Sequence, residues 1–278
     1  MTTWVLLRGL MREARHWGEF PLLLQRAAGA QSIVTLDFPG NGQLHAQPSA
    51  ASVAEMAENC RTQLKQLGYE PPYRVLALSL GAMVAVEWGE RYPAELDSMV
   101  LINTSLAPHN PFYHRLRPAN YPALIRVLIY GPTAQREKLI LRLTSTQKRT
   151  PDQQAALLEQ WTAYAGVCPV TRTNILRQLL AASTYHAVST TPTVPVLLLA
   201  GRQDRLVNVK CSIALAQHWR CAIRLHPTAG HDLPLDDGAW VTRQVQDWLI
   251  HHVGIDESAA GGDESRRLDP ANGGDDAN

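Results

Sequence analysis

The chain has 278 residues, which is enough for one α/β domain of roughly 200–250 residues with a full hydrophobic core. Its net charge of +1 and the lack of any lysine- or arginine-rich run do not indicate nucleic-acid binding. There is no apolar stretch of the about 18 residues that a membrane span needs and no signal-peptide pattern, so we expect no membrane span. The four cysteines lack metal-ligand or redox spacing, which favours free thiols and a cytoplasmic location.

Short apolar runs alternate with helical patterns along most of the chain. The runs that predict strands are residues 4–7, 32–36, 74–78, 99–102, 194–200 and 222–226. The patterns that predict helices between and after them are residues 16–28, 53–67, 82–91, 210–218 and 238–251. Strands that are apolar on both faces belong in a parallel sheet covered by helices, so the sequence predicts a doubly wound α/β fold.

The alternation stops between residues 105 and 188, where helical patterns occur at 121–129, 133–143, 152–165 and 170–182. We interpret 105–188 as a helical lid inserted into a core of residues 1–104 and 189–253; additional core helices are the alternative. Residues 254–278 are mostly Gly, Ala, Asp, Glu, Ser and Asn, a composition that predicts a disordered acidic tail.

The candidate nucleophile is Ser79. It follows the apolar run 75–78 and precedes Gly81 and a small-residue helical pattern. This order predicts a strand, a sharp turn and a helix that hold one serine hydroxyl up for attack. The segment reads A-x-S-x-G, with Ala77 where the usual pattern has glycine.

A serine hydroxyl needs an imidazole base, and the base needs a carboxylate to orient it. His231 lies in a short turn after the last predicted strand, and Asp204 lies in the glycine turn after the strand at 194–200. The order Ser79, Asp204, His231 is that of an α/β-hydrolase triad. Asn103 also ends a strand, but an amide cannot supply the charge of the acid.

The oxyanion of an acyl-transfer intermediate requires pre-aimed N–H donors. We expect one from Leu80, directly after the nucleophile, and one from Leu10, in the turn after the first strand. Gly9 in the same turn lets the backbone approach the substrate closely.

These motifs together resemble the α/β-hydrolase superfamily over residues 4 to about 252, and the D-x-P-G-x-G pattern at residues 37–42 also resembles a loop of its lidded members. Within the superfamily the chain looks most like compact lidded bacterial carboxylesterases of the pimeloyl-carrier-protein methyl ester esterase type. The resemblance implies a mostly parallel sheet of eight strands, a Ser-His-Asp triad, and neither a metal nor an organic cofactor.

Several residues around these motifs carry further predictions. Arg8 stands where most relatives have histidine; it either props the oxyanion turn or binds a substrate carboxylate. Phe112 and Tyr113 are candidates for the lining of an acyl pocket. Asp236 and Asp237 look like N-terminal caps of the last helix.

The sequence therefore predicts a serine hydrolase that cleaves a carboxylic ester or thioester of a small to medium acyl substrate, free or attached to a carrier. The alternatives within the same chemistry are an acyltransferase, an amidase or a C–C hydrolase. A binding protein that uses the hydrolase fold without catalysis is the alternative outside it.

Overall fold

All six apolar runs become strands of one parallel sheet. The computed structural model describes residues 2–28, 32–130, 133–188 and 190–252. The strands are β1 (Thr3–Leu7), β2 (Ile33–Leu36), β3 (Tyr73–Leu78), β4 (Leu96–Ile102), β5 (Val196–Gly201) and β6 (Ala222–His226). Their order is β2-β1-β3-β4-β5-β6, and every neighbouring pair is parallel. The predicted fold class is confirmed, whereas the eight strands implied by the resemblance are wrong for the described residues.

Helices cover both faces of this sheet. The helices of the core are α1 (Phe20–Ala28), α2 (Val53–Gln66), α3 (Leu80–Arg91), α9 (Lys210–Trp219) and α10 (Leu233–His252). Because side chains alternate along a strand, Val5 and Leu7 join one apolar core with α2, α3 and α9, while Trp4 and Leu6 join the other with α1 and α10. The apolar runs are thus buried on both faces, as their composition predicts.

In the described part of the chain, five α-helices lie between β4 and β5. They are α4 (Phe112–Arg115), α5 (Tyr121–Tyr130), α6 (Thr133–Thr144), α7 (Pro151–Val167) and α8 (Arg172–Thr184). The four longer ones agree with the helical patterns of the sequence, and α4 is an additional short helix. An isolated parallel bridge between Ala107 and His186 joins the two ends of the insertion, so both connections leave the core at one place.

The strand order reverses between β1 and β3, because β2 lies on one side of β1 and all later strands lie on the other. Ligands of open α/β sheets bind at the carboxyl ends of the strands at such a switch point. The turn after β1 carries Gly9 and Leu10, and the turn after β3 carries Ser79. Topology therefore places the predicted oxyanion turn beside the predicted nucleophile.

The predicted acidic tail at 254–278 lies outside the described residues. Within the described part of the chain, no helix has the length and apolar character that crossing a bilayer would require.

The close packing of α3 against the turn after β1 leads to a stability prediction. A Cβ at Gly81 would lie 2.6 Å from the carbonyl oxygens of Leu7 and Arg8, which are backbone atoms that cannot move aside alone. We expect Gly81→Ala to lower the free energy of unfolding by about 1–3 kcal/mol or more. On exposed α7, a Cβ added at Gly166 would meet no atom within 4 Å, so Gly166→Ala should instead raise that free energy by up to about 1 kcal/mol. Urea unfolding of both variants measures the two signs, and equal effects would contradict the packing argument.

Candidate active site

Ser79 forms a strained elbow between β3 and α3. Its backbone has φ 58° and ψ −114°, a conformation that costs a non-glycine residue free energy and that occurs where function requires it. The turn is fixed at both ends, because the Ser79 N–H donates to the Ile102 carbonyl at 3.0 Å and the Ser79 carbonyl accepts from the Ala82 N–H at 3.0 Å. Its neighbours Leu78 and Leu80 are buried while Ser79 is partly exposed. The elbow thus presents a hydroxyl at the surface of a rigid support.

The turn after β1 lies directly against this elbow. A Cβ on Gly9 would be 3.2 Å from the Ser79 Cβ, so a side chain at position 9 would crowd Ser79. The next residue but one, Met11, has φ 60° and its N–H donates to Gln178 Oε1 of α8 at 3.0 Å. Among the described residues, none accepts from the Leu10 N–H. The Leu80 N–H belongs to the first residue of α3 and has no acceptor within that helix. Both predicted oxyanion donors are therefore available next to Ser79.

His231 and Asp204 form a buried pair. His231 Nδ1 and Asp204 Oδ2 are 2.7 Å apart, and both side chains are almost fully buried. The other carboxylate oxygen, Asp204 Oδ1, accepts from the N–H groups of Leu206 at 2.7 Å and Val207 at 2.9 Å. The carboxylate is thus fixed by its own loop and accepts the Nδ1–H of the imidazole. This arrangement leaves the lone pair on His231 Nε2.

Ser79 and His231 line the same cavity, and among the described residues no hydrogen bond joins the Ser79 hydroxyl to the imidazole. Hydrogen bonds between a nucleophile and its base are often long without substrate and tighten during catalysis. The structure therefore brings the three predicted triad residues to one place, with the His231–Asp204 bond formed.

Asn103 joins the two loops that carry this pair. Its Nδ2 donates to the carbonyls of Gly230 at 3.0 Å and His231 at 2.7 Å, and its Oδ1 accepts from the Gly201 N–H at 2.9 Å. The residue is buried with φ 47°, a region that asparagine enters more readily than most residues. In the sequence, Asn103 is an amide at the end of a predicted strand. Its position at the carboxyl edge of the sheet is the one sequence feature that could have indicated that it links these loops.

Arg8 joins the predicted oxyanion turn, residues 8–11 after β1, to the loop of residues 227–232 that carries His231, here called the histidine loop. Its Nη1 and Nη2 donate to Asp232 Oδ1 at 3.1 Å and Oδ2 at 2.5 Å, and the guanidinium lies 4.7 Å from the centre of the Trp17 ring. Burial alone would raise the pKa of Asp232, but the nearby Arg8 and Arg12 cations offset this and hold the pKa below its ordinary value. Because both terminal nitrogens of Arg8 are bound to a protein carboxylate, the geometry favours the propping role over binding of a substrate carboxylate.

A second buried ion pair links the same turn to the inserted helices. Arg12 Nη1 donates to Glu137 Oε2 of α6 at 2.5 Å, and the Arg12 guanidinium lies 4.3 Å from the centre of the Trp161 ring of α7. His16 completes this cluster, with Nε2 2.8 Å from Arg12 Nη1 and Nδ1 3.2 Å from the Glu13 N–H. Burial first, and then the Arg12 and Arg8 cations, hold the pKa of His16 well below its usual range. His16 is therefore neutral at pH 7.

The cavity at Ser79 has a volume of about 90 Å³. Its lining residues come from the oxyanion turn, the elbow, α5, α6, the histidine loop, and the loop of residues 202–209 that carries Asp204, here called the acid loop. They are Arg8, Gly9, Leu10, Met11, Arg12, Leu78, Ser79, Leu124, Ile140, Leu143, Thr144, Leu206, His231 and Asp232. A larger groove between α6 and α7 is shallow and contains no serine, cysteine or histidine. The Ser79 cavity is therefore the candidate active site.

Two predictions around the site are corrected by the structure. Phe112 and Tyr113 do not line the cavity; they are 71% and 49% exposed on α4 and pack against each other, while α5 and α6 supply the apolar wall. Asp237 caps the main part of α10 as predicted, since its Oδ1 accepts from the Trp240 N–H at 2.8 Å. Asp236 instead accepts from the N–H groups of Gly230 at 2.7 Å and Thr146 at 3.0 Å, so it ties the histidine loop to the segment after α6.

Known proteins share both the sequence pattern and the fold of this chain. A family model described as serine aminopeptidase, S33, matches residues 14–238, which is more than half of the chain. The chain belongs to this family. It is an α/β-hydrolase enzyme, and the superfamily resemblance seen in the sequence is confirmed. Comparison with curated proteins finds no match.

Solved structures of other α/β-hydrolases share the fold. A thermophilic esterase from Thermogutta terrifontis is 18% identical with a TM-score of 0.71, and the alignment covers 90% of each chain. The 2-hydroxy-6-oxo-6-phenylhexa-2,4-dienoate hydrolase from Rhodococcus sp. strain RHA1 is also 18% identical with a TM-score of 0.71, and the alignment covers 91% of each chain. At this identity the likeness extends to the fold, and the closer resemblance to carrier-protein methyl ester esterases stays a prediction.

The hydrogen bonds of Asn103 lead to a prediction for a nearly isosteric change. Asn103→Asp keeps the acceptor for the Gly201 N–H but replaces the donor to two buried carbonyls with a carboxylate oxygen that repels them. We expect a loss of about 2–5 kcal/mol in the free energy of unfolding, and a fall in activity beyond the loss of folded protein. Asn208→Asp is the matched control, because Asn208 Oδ1 accepts from the Lys210 N–H, and a carboxylate does the same. Equal stability of the two variants would contradict the bridging role.

The buried neutral His16 leads to a prediction about pH. A histidine whose pKa is lower in the folded than in the unfolded state costs no stability above pH 6.5, and it destabilises the fold as the pH falls below that value. When the pH falls from 7.5 to 5.5, this one group should lower the free energy of unfolding by up to about 1.4 kcal/mol. Urea unfolding of wild type and His16→Gln at both pH values measures the difference. His251→Gln, on the exposed side of α10, serves as control. Parallel pH profiles of wild type and His16→Gln would show that His16 is not the group responsible.

Proposed function

We propose that the protein is a serine hydrolase that cleaves carboxylic esters or thioesters through an acyl-enzyme. The observation that supports this best is the buried His231–Asp204 hydrogen bond of 2.7 Å at a cavity that Ser79 also lines. A histidine held by a carboxylate through Nδ1 keeps Nε2 as a base, which is the arrangement that activates a serine hydroxyl. The strained elbow supports the same proposal, because strain at a serine is tolerated where the hydroxyl must be presented.

In the proposed mechanism Ser79 Oγ attacks the carbonyl carbon while His231 Nε2 takes the hydroxyl proton. The resulting oxyanion accepts hydrogen bonds from the N–H groups of Leu10 and Leu80, each worth roughly 10²–10³ in rate in comparable sites. The imidazolium is stabilised by Asp204 and then donates its proton to the departing alcohol or thiol. Water, activated by the same imidazole, attacks the acyl-enzyme and releases the acid, and the proton returns to Ser79 Oγ.

In this proposal the inserted helices α4 to α8, which lie within the predicted range 105–188, act as a lid over the cavity. Leu124 of α5 and Ile140 and Leu143 of α6 line the cavity opposite the core, and Glu137 of α6 binds Arg12 of the oxyanion turn. Substrate entry then requires movement of helices that contact both catalytic loops. The substrate in this proposal is a small molecule, free or attached to a carrier.

The cavity favours an ester over the free amino terminus of a peptide. Recognition of an α-ammonium group requires an unpaired acceptor or carboxylate near the nucleophile. Among the described residues that line the cavity, Asp232 is the one carboxylate, and both of its oxygens bind Arg8. The family description names an aminopeptidase, but this lining supports ester cleavage in this member. Transfer of the acyl group to another alcohol or amine uses the same intermediate and is distinguished by product analysis with added acceptors.

Replacement of Ser79 tests the proposal directly. Ser79→Ala should lower kcat for p-nitrophenyl esters by at least about 10⁴-fold, because the covalent intermediate cannot form. The variant should also lose labelling by a fluorophosphonate probe, which reacts with an activated serine. Ser183→Ala is the matched control, because Ser183 is exposed near the end of α8. This variant should react with the probe and hydrolyse the esters like wild type. Labelling of Ser79→Ala at the wild-type level would remove Ser79 from the mechanism.

A further inference from the structure

The size of the Ser79 cavity restricts the acyl group. Its volume is about 90 Å³, whereas an engineered apolar cavity that holds benzene has about 150 Å³. A group smaller than a benzene ring therefore fills the space beside the nucleophile. An acyl chain of about two to four carbons has this size.

The wall of the cavity that lies away from the oxyanion turn is apolar. Leu124, Ile140 and Leu143 come from the inserted helices, and Leu206 comes from the acid loop. Leu143 is buried, and the other three are partly buried. An aliphatic chain would gain apolar contact on this side and would find no charged partner there.

The two arginines on the remaining wall are each paired with a protein carboxylate. Arg8 is 2% exposed and pairs with Asp232, and Arg12 is 7% exposed and pairs with Glu137 of α6. Each guanidinium also lies over an indole ring, Trp17 for Arg8 and Trp161 for Arg12. Among the described residues, no acceptor binds Arg8 Nε, which has one N–H, or Arg12 Nη2, which has two, and both nitrogens are buried.

Each of the two arginines beside the cavity already has a carboxylate partner, and Glu137 is also shared with Arg136 at 3.7 Å. A substrate carboxylate would have to compete with these protein carboxylates, and an unpaired buried anion is costly. The unpaired N–H groups on these two nitrogens can bind a neutral oxygen. A carboxylate would also need positive charge, and that of Arg8 and Arg12 is already paired with Asp232 and Glu137. Electrostatics therefore favours an uncharged acyl group over a dicarboxylic one.

Hydrogen bonds to the catalytic loops hold the apolar wall in place. The Asp232 N–H donates to the Thr144 carbonyl, at the end of α6, at 2.7 Å. Two residues further along the chain, Thr146 N–H donates to Asp236 Oδ2 at 3.0 Å, and Asp236 also binds the Gly230 N–H. Together with the Arg12–Glu137 pair, these contacts fix the distance between α6 and the loop of His231. The cavity size is therefore set by the same bonds that position the base.

From the size, the apolar wall and the paired arginines we infer that the enzyme acts on esters of short, uncharged aliphatic acids of about two to four carbons, with Ile140 and Leu143 limiting the chain length. This inference rests on the proposed ester hydrolysis and names its substrate class. It differs from the dicarboxylic acyl group of a pimeloyl-type substrate.

Hydrolysis of 4-methylumbelliferyl esters by the full-length protein tests the substrate class. We expect the highest kcat/KM for acetate or butyrate and a fall of at least about tenfold at octanoate, because added methylenes would have to displace Ile140 and Leu143 from their hydrogen-bonded position over the cavity. The hemisuccinate has the same four acyl carbons as the butyrate and adds a carboxylate, and its kcat/KM should be at least about tenfold lower than that of the butyrate. A kcat/KM for octanoate or hemisuccinate equal to or above that for butyrate would overturn the inference.

Shortening of the wall tests the residues. Ile140→Ala and Leu143→Ala should each raise the ratio of kcat/KM for octanoate over butyrate by about fivefold or more. Ile125→Ala on α5 is the control: Ile125 is 54% exposed and does not line the cavity, so the ratio should stay at its wild-type value. Unchanged ratios in both cavity variants would contradict their role. If one variant does not fold, the other variant and the wild-type chain-length profile still decide the question.

The same assays separate this inference from the proposed function. If esters are hydrolysed through a labelled Ser79 but long or charged acyl chains are preferred, the substrate class is wrong and the serine hydrolase proposal stands. If folded wild type neither reacts with fluorophosphonate nor hydrolyses any of these esters, both are wrong.

Discussion

The buried ion pair between Arg8 and Asp232 is the interaction on which the active-site edge depends. It joins the turn after β1, which carries the predicted oxyanion donor, to the residue next to His231 after β6, although these strands lie four positions apart in the sheet. A desolvated pair of this kind adds little net stability, but loss of either partner leaves an uncompensated buried charge. Because the pKa of Asp232 is held below 3.8, the stabilising effect is complete above about pH 4 and is lost only as the pH falls through that lowered pKa. The loops are thus held together by a contact that does not titrate near neutral pH.

Around this pair, each catalytic loop is also fixed by a neighbour rather than by its own sequence alone. Asn103, directly after β4, forms hydrogen bonds to the end of β5 before the acid loop and to the histidine loop. Asp236 forms hydrogen bonds to the histidine loop and to the segment after α6. Gln178 of α8 binds the N–H of Met11, so the oxyanion turn also depends on the inserted helices. The geometry of acyl transfer has to be correct to within a fraction of an ångström. A network that reaches all the loops from several elements is a physical means of reaching that precision.

The strands, the longer helices and the placement of Ser79, Asp204 and His231 at strand ends could be predicted because each depends on local pattern. Apolar runs identify the parallel strands, and parallel strands bring their carboxyl ends to one edge. What could not be predicted depends on contacts between distant segments. The choice between the two roles of Arg8 needed the position of Asp232, 224 residues away, and Asp236 resembled a helix cap because its partners Gly230 and Thr146 lie in other segments. Phe112 and Tyr113 looked like pocket residues by composition, but the orientation of a four-residue helix is set by packing that composition does not encode.

The presence of an arginine, Arg8, in the predicted oxyanion turn has a consequence for the chemistry of the site. A histidine props such a turn with neutral hydrogen bonds, whereas Arg8 brings a full charge that has to be neutralised inside the protein. The carboxylate of Asp232 neutralises Arg8, and a second cation, Arg12, pairs with Glu137 of the inserted helices. Glu137 of α6 therefore contributes to the charge balance of the predicted oxyanion turn. A substrate that carries its own charge would disturb this pairing of charges beside Ser79.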